Sequence, residues 1–225
     1  MIRTPREMRA LLLCVVVGLA AAGAATADHL DPQQRIRAAD QKRAAAILLR
    51  KADLPSGYRP ERTSDLELHL TCSELDESDL AIGGRAKSPY WARDYQVVGS
   101  SAALYVSTAD ARTSWRRGTS ATGLSCLRDE FRKAFARRGE TVRISTRGLA
   151  LPKLAVAAEA YRLAFSGTDP QRPPVLYIDL VLLTHGRGLA GLLFAGVVTP
   201  PARATEIALA RVISQRMRAE LRGAS

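Results

Sequence analysis

The chain has 225 residues, a formal net charge of +11 and three cysteines. It shows no internal repeat and no low-complexity tract, which excludes solenoid and repeat architectures. Of its 33 basic residues only Lys42, Lys51, Lys87, Lys133 and Lys153 are lysine. That arginine and alanine bias is what a GC-rich genome writes everywhere, so the charge reads first as solvated surface. Its second reading is attraction to anionic lipid, acidic cell-wall polymer or nucleic acid.

Arg3, Arg6 and Arg9 stand against one acid, Glu7, and precede an apolar, small-residue run over 10–25 that closes on Ala25-Thr26-Ala27. A basic start, an apolar stretch and an A-x-A end form a secretory signal peptide over 1–27, with cleavage expected before Asp28. An uncleaved anchor is the alternative, because the apolar run is near the lower edge of the roughly 17 to 25 residues that span a bilayer core. Cys14 falls inside that run rather than at its end, which argues against lipidation. Cleavage leaves 28–225, a length suited to a single exported domain with a net charge of +9.

Asp31-Pro32 reads as an N-cap followed by an N1 proline, so an amphipathic helix is expected over 31–52. Pro55 and Gly57 end it in a turn. Leu66, Leu68 and Leu70 alternate before Cys72, a weak strand signal, and a buried strand follows over 95–107. A helix starts at Thr108 and runs past Trp115. A second covers 124–138, with Leu127, Phe131 and Phe135 on one face and Cys126 in its first turn.

Four strand-like runs follow over 141–147, 155–166, 175–184 and 189–198, the last two joined by a tight turn at His185-Gly186-Arg187-Gly188. The stretch 175–198 is the strongest apolar one after the signal, but Asp179, His185 and Arg187 interrupt it. It reads as a hairpin and not as a membrane span, and a soluble mature domain is expected. Pro200-Pro201 introduces a terminal helix whose Leu209, Val212, Ile213, Met217 and Leu221 should pack on the sheet. The order of helix, strands, two helices, meander and helix predicts an α+β fold, an antiparallel β-sheet packed by helices.

Two cysteines survive cleavage. An even count in an oxidising compartment implies the bridge Cys72–Cys126, which closes a loop of about 55 residues and stabilises by about 4 kcal/mol in the chain-entropy model.

The run Asp53-Leu54-Pro55-Ser56-Gly57-Tyr58, then Cys72, Gly83-Gly84-Arg85 with Ser88, Val98-Gly99-Ser100-Ser101, Tyr105, Ala109, Ala111 and Cys126-Leu127 resembles a family of exported actinobacterial proteins and lipoproteins of unassigned activity. More distantly it resembles the extracellular sensor domains of mycobacterial serine/threonine kinases and the PsbP-like α/β/α sandwich. The resemblance covers most of 48–221. It implies that fold and a cell-envelope location, secreted or periplasmic, and it supplies no catalytic residues. The kinase sensors have two disulfides where this chain has one candidate.

Chemistry is sparse. His29, His69 and His185 are the three histidines, and neither a triad nor a zinc set can be assembled around them; His69 with Cys72 has half-site spacing but no second pair. Glu67, Glu74, Asp76, Glu77 and Asp79 cluster as an acidic loop, and only convergence of buried Glu74 and Asp76 would point to a hydrolase. No nucleophile elbow or phosphate loop occurs. The chain is therefore expected not to be an enzyme, and to need no cofactor and no metal.

Tyr90, Trp91 and Arg93, with Trp115, Arg116 and Arg117, form the aromatic-basic residues of a candidate binding surface, although both tryptophans read first as core residues at the sheet-to-helix seam. Nucleic acid fits neither the export signal nor the scarcity of aromatics. The leading expectation is a non-catalytic envelope protein that binds a lipid, glycan or other envelope ligand in a groove between sheet and helices. A protein-interaction or scaffold module on an envelope complex is the alternative. A cavity beneath the terminal helix would favour the binder, and a filled core the module.

Overall fold

The computed structural model describes residues 31–61, 71–154, 156–169 and 173–222. The signal segment, His29, the strand candidate at Leu66, Leu68 and Leu70, Glu67 and His69 lie outside them. Among the described residues, β1 is Gln33–Gln34, α1 Ala38–Ile47, β2 Arg59–Glu61, β3 Ala81–Lys87, β4 Tyr90–Arg93 and β5 Gln96–Tyr105. Then follow α2 Thr108–Thr119, α3 Ala121–Ala136, β6 Arg143–Gly148, β7 Ala157–Ser166, β8 Leu176–His185, β9 Gly188–Val197 and α4 Arg203–Glu220.

The strands form one open sheet in the order β1-β3-β5-β9-β8-β7-β6, with β4 following β3 along the same edge of β5 and β2 pairing β4. All pairs are antiparallel except β1 with β3, so the sheet is mixed. Four helices pack on it, as an α+β fold requires.

Alternation along the strands builds two cores. Val181 and Leu183 of β8 with Ala190 and Leu192 of β9 meet α1 and α4 through Ile47, Leu209, Ile213 and Met217. Leu176, Ile178 and Leu180 with Leu193, Ala195 and Val197 face the other way, against Leu127, Phe131 and Phe135 of α3. Both faces of β8 and β9 are buried, which is why these strands read as nearly continuous apolar runs. Phe131 meets Phe165 edge to face with centroids 5.3 Å apart. Ser107 caps α2 by accepting from the Asp110 amide, and Ser120 caps α3 by accepting from the Gly123 amide.

The first helix differs from its expected 31–52 span. It starts at Ala38 and ends at Ile47, and Asp31-Pro32 does not cap it. The amides of Gln33, Arg35 and Arg37 instead donate to the carbonyls of Leu80, Ile82 and Gly83, at 2.8, 2.8 and 2.7 Å. The open edge of β3 offers these partners to an extended chain, and their satisfaction outweighs helix propensity over five or so residues. Cys126 also sits in the second turn of α3 rather than its first, because that helix begins three residues before the expected start.

No described helix is long and apolar enough to cross a membrane.

Helix α1 lies on β3 at backbone distance. A Cβ on Gly84 would come within 2.6 Å of the Asp40 carbonyl oxygen and of the Gln41 amide nitrogen. Backbone cannot swing aside as a side-chain tip can, so Gly84→Ala should destabilise by about 2 to 3 kcal/mol, measured as a fall in the denaturant midpoint at unchanged slope. Asp40 anchors the same helix beside Gly83, its carboxylate accepting from both terminal guanidinium nitrogens of Arg187 in the β8–β9 turn. That pairing, the largest influence on it, holds the Asp40 carboxyl below the usual carboxylate range.

Candidate functional site

An apolar groove of about 260 Å³ opens between the centre of the sheet and the α2–α3 elbow. Its origin is a shortage of side chains. Register places Ser101 opposite Gly191 and Gly99 opposite Leu193, so β5 presents only hydrogen and a hydroxymethyl, and β9 only hydrogen at 191, beside Leu180 and Leu182 of β8. The elbow above is equally bare at Gly118 and Gly123. Gly123 has a steric reason to be glycine, since a Cβ there would strike the Arg117 carbonyl oxygen. Gly118 has none, because a Cβ there would meet nothing within 4 Å.

Leu180, Leu182 and Leu193 wall the groove from the sheet, while Leu124 and Leu127 of α3 and Leu75 close it from above. Polar groups gather at one lip. Tyr90 lies against the backbone of Gly99, whose absent Cβ would fall 2.6 Å from the tyrosine ring. Burial pushes the Tyr90 hydroxyl well above its usual range. Lys87, next to it on β3, is exposed at the mouth. Desolvation of its ammonium against the lip, with repulsion from Arg85 second, pushes its pKa down to about 8.

Of the six aromatic and basic residues expected at a binding surface, Tyr90 is the one that lines this groove. Trp91, its neighbour on β4, points to the opposite face and packs on the α1–α4 core. The Lys51 ammonium stands 5.7 Å from that ring, and the buried Trp91 Nε1 has no partner among the described residues. The Arg93 guanidinium covers the Tyr58 ring at 4.9 Å and donates to the Ser56 carbonyl. Trp115 is half-buried on α2, and exposed Arg116 donates to the Thr113 hydroxyl. Arg117 grips both Asp79 oxygens, at 2.6 and 2.9 Å, and the Asp76 carbonyl.

The acidic loop is engaged in structural bonds. Glu77 accepts from the Tyr105 hydroxyl at 2.9 and 3.0 Å and from the Ser114 hydroxyl, and burial raises its pKa against those bonds. Asp76 accepts from the Ser78 amide at 2.8 Å, and Glu74 is exposed. The Cys72–Cys126 disulfide is present, its Cα atoms 6.2 Å apart. The Glu74 carboxylate lies within 4.8 Å of its sulfurs, but a sulfur committed to a bridge is no thiolate ligand.

The space beneath α4 is filled by Leu209, Ala210, Ile213 and Met217 against Val181, Leu183 and Leu192, which is the arrangement expected of an interaction module and not of a ligand binder at that place. The groove lies on the opposite face of the sheet. Sequence reasoning missed it because its signature is the lack of side chains. The signal that could have found it is glycine at inward-facing positions of apolar strands, at Gly99 and Gly191.

No known protein-family model matches the chain, and no curated protein matches it in sequence. Among solved structures it is similar to the extracellular domain of PknH from Mycobacterium tuberculosis, with a TM-score of 0.49 and 8% identity, covering 79% of this chain and 96% of that one. The likeness is distant, like that of the short motifs to kinase sensor domains.

Proposed function

We propose that this chain is an exported, non-catalytic binding protein of the cell envelope, and that the groove between the sheet and the α2–α3 elbow holds the apolar part of a lipid-like ligand. The observation that carries this reading is the groove itself, walled by Leu180 and Leu182 of β8, Leu193 of β9, Leu124 and Leu127 of α3 and Leu75, and floored by Gly99 and Gly191. At about 260 Å³ it falls just under the roughly 300 to 1,000 Å³ of drug-sized pockets, which suits one small apolar group, a single hydrocarbon chain or a compact dye. A glycan would want a polar, aromatic-faced site, whereas here hydrocarbon burial at about 25 cal/mol per Å² is the main attraction on offer. The disulfide fits an oxidising compartment outside the cytoplasmic membrane.

The test uses a neutral apolar dye, phenylnaphthylamine, whose fluorescence rises on entering a dry site. Gly118→Leu adds bulk where a Cβ meets open space, and Gly191→Val fills the floor, where a Cβ meets only the Ser101 hydroxyl at 3.1 Å and a Leu182 methyl at 3.9 Å. Each should abolish dye binding at an unchanged melting temperature. Retained binding in both folded variants would overturn the groove, and attention would pass to a docking role for Tyr95, Val175 and Val198. These are 38%, 46% and 58% exposed at one end of three neighbouring strands.

A further inference from the structure

We infer that the ligand is a single-chain amphiphile with an anionic head, a carboxylate or phosphate ester, seated at Lys87 while its chain runs along the leucines under the α2–α3 elbow. This rests on the groove being a binding site and adds the charge of what it binds.

Several cations are used by the fold itself. Arg117 is paired with Asp79, Arg187 with Asp40, Arg216 with Asp53, Arg162 with Asp179 and Lys133 with Glu130. Among the described residues no hydrogen bond or ion pair reaches the Lys87 ammonium, and of the cations without one it is Lys87 that lines the groove. No acid is found among the described residues lining the groove, and Asp31 acts on Lys87 only as a weaker, through-space attraction. Arg85, two residues earlier on the same strand, adds positive potential at the same lip.

A lone ammonium at the rim of an apolar slot is poorly solvated by the slot and unpaired by the protein. An anion covalently attached to a hydrocarbon chain satisfies both, since it brings the counter-charge to the lip when the chain fills the groove. A neutral head would leave the ammonium unpaired, and a cationic head would repel it. The Tyr90 hydroxyl, also without a partner among the described residues, stands at the same lip as a second donor to an anionic oxygen. Desolvation at the lip and repulsion from Arg85 both lower the Lys87 pKa, and an anionic head there would oppose them.

The experiment measures displacement of phenylnaphthylamine from the purified protein by dodecanoate, dodecyl phosphate, dodecanol and dodecyltrimethylammonium, with acetate and inorganic phosphate as chainless anions. Dodecanoate and dodecyl phosphate should displace the dye at concentrations about tenfold lower than dodecanol, the advantage of one charge-assisted contact. Lys87→Met, which keeps the aliphatic stem on an exposed strand position, should erase that advantage and leave dodecanol unchanged, while Lys87→Arg should restore it. The rank between carboxylate and phosphate identifies the head. Equal displacement by all four amphiphiles, or an unaltered ranking in Lys87→Met, overturns the anionic head and leaves the groove standing. Displacement by the chainless anions as effective as by their amphiphiles also overturns it, by detaching the anion from the chain. Dye binding that no amphiphile displaces, and that Gly118→Leu does not alter, overturns the groove and the inference together.

Discussion

Arg162→Met should cost about 3 to 5 kcal/mol of unfolding free energy at pH 8, because it removes one partner from a buried ionic cluster, and clearly less at pH 5. Arg162 is 6% exposed, and Asp179 and Glu206 are fully buried. The Arg162 guanidinium donates to both Asp179 oxygens, the Nε bond being 2.7 Å, and to the Pro201 carbonyl at 3.3 Å. It therefore ties β7, β8 and the entry to α4 at a single point. Glu206 completes the cluster from α4, one oxygen held by Arg203 and the other 3.6 Å from Arg162 with no hydrogen-bond partner. Burial, reinforced by the neighbouring Asp179 carboxyl, raises the Glu206 pKa to about 8.

A carboxyl whose folded pKa is raised favours the protonated fold. Its stabilising share is complete below the unfolded value near 4.5 and is lost as pH climbs through about 8. The wild-type melting temperature should accordingly fall between about pH 5 and pH 8, and Glu206→Gln should flatten that slope. In Arg162→Met the slope should steepen, since loss of the guanidinium raises the Glu206 pKa further and the fold must keep that proton against a rising pH. A wild-type melting temperature level across this range would show that Glu206 titrates normally. A small, pH-independent cost for Arg162→Met would show that water reaches the cluster.

What the sequence made legible here follows from the range of the interactions. The strands β6 to β9, the two-residue turn after His185 and the stripe of α4 are local patterns of period two or 3.6, and they lie within two or three residues of their expected bounds. Residues 31–37 did not read correctly because a distant strand edge claims their amides. The buried cluster was invisible for the same reason: register alone places Arg162 opposite Asp179, and only helix packing delivers Glu206. Tyr90-Trp91 carries a different lesson. Once β4 is a strand, adjacent residues must face opposite sides of the sheet, so grouping the two in one surface was incompatible with the extended geometry of that segment. The groove, made of missing side chains in two strands and two helices, has no one-dimensional pattern beyond glycine in apolar company.

Reducing the Cys72–Cys126 bridge should lower unfolding free energy by about 4 kcal/mol, the entropy of releasing a loop of some 55 residues, and it should weaken groove binding at temperatures where the domain remains folded. The second effect follows from what the bridge holds. Leu75, three residues beyond Cys72, is a wall of the groove, and Gly123, Leu124 and Leu127 flank Cys126 on α3. The bridge thus clamps one wall against the helix that carries the other. The other ties in this neighbourhood lie on either side of the turn that carries Leu75: the Thr71 hydroxyl on Glu130 at 2.9 Å before it, and Arg117 on the Asp76 carbonyl and Asp79, with Glu77 held by Tyr105 and Ser114, after it. The exposed Arg117–Asp79 pair contributes roughly 0 to 1 kcal/mol, and the Glu77 bonds hold the chain toward α2 and β5 rather than toward α3, so the sulfur bridge is the covalent link from this turn to the helix that carries Leu124 and Leu127. The double variant Cys72→Ser, Cys126→Ser should reproduce both losses without reductant. A denaturation midpoint unmoved by reductant would mean the bridge does not stabilise the domain. A lowered midpoint with dye affinity intact would mean that Leu75 is seated by its own packing, and that the bridge restrains the unfolded chain without shaping the groove.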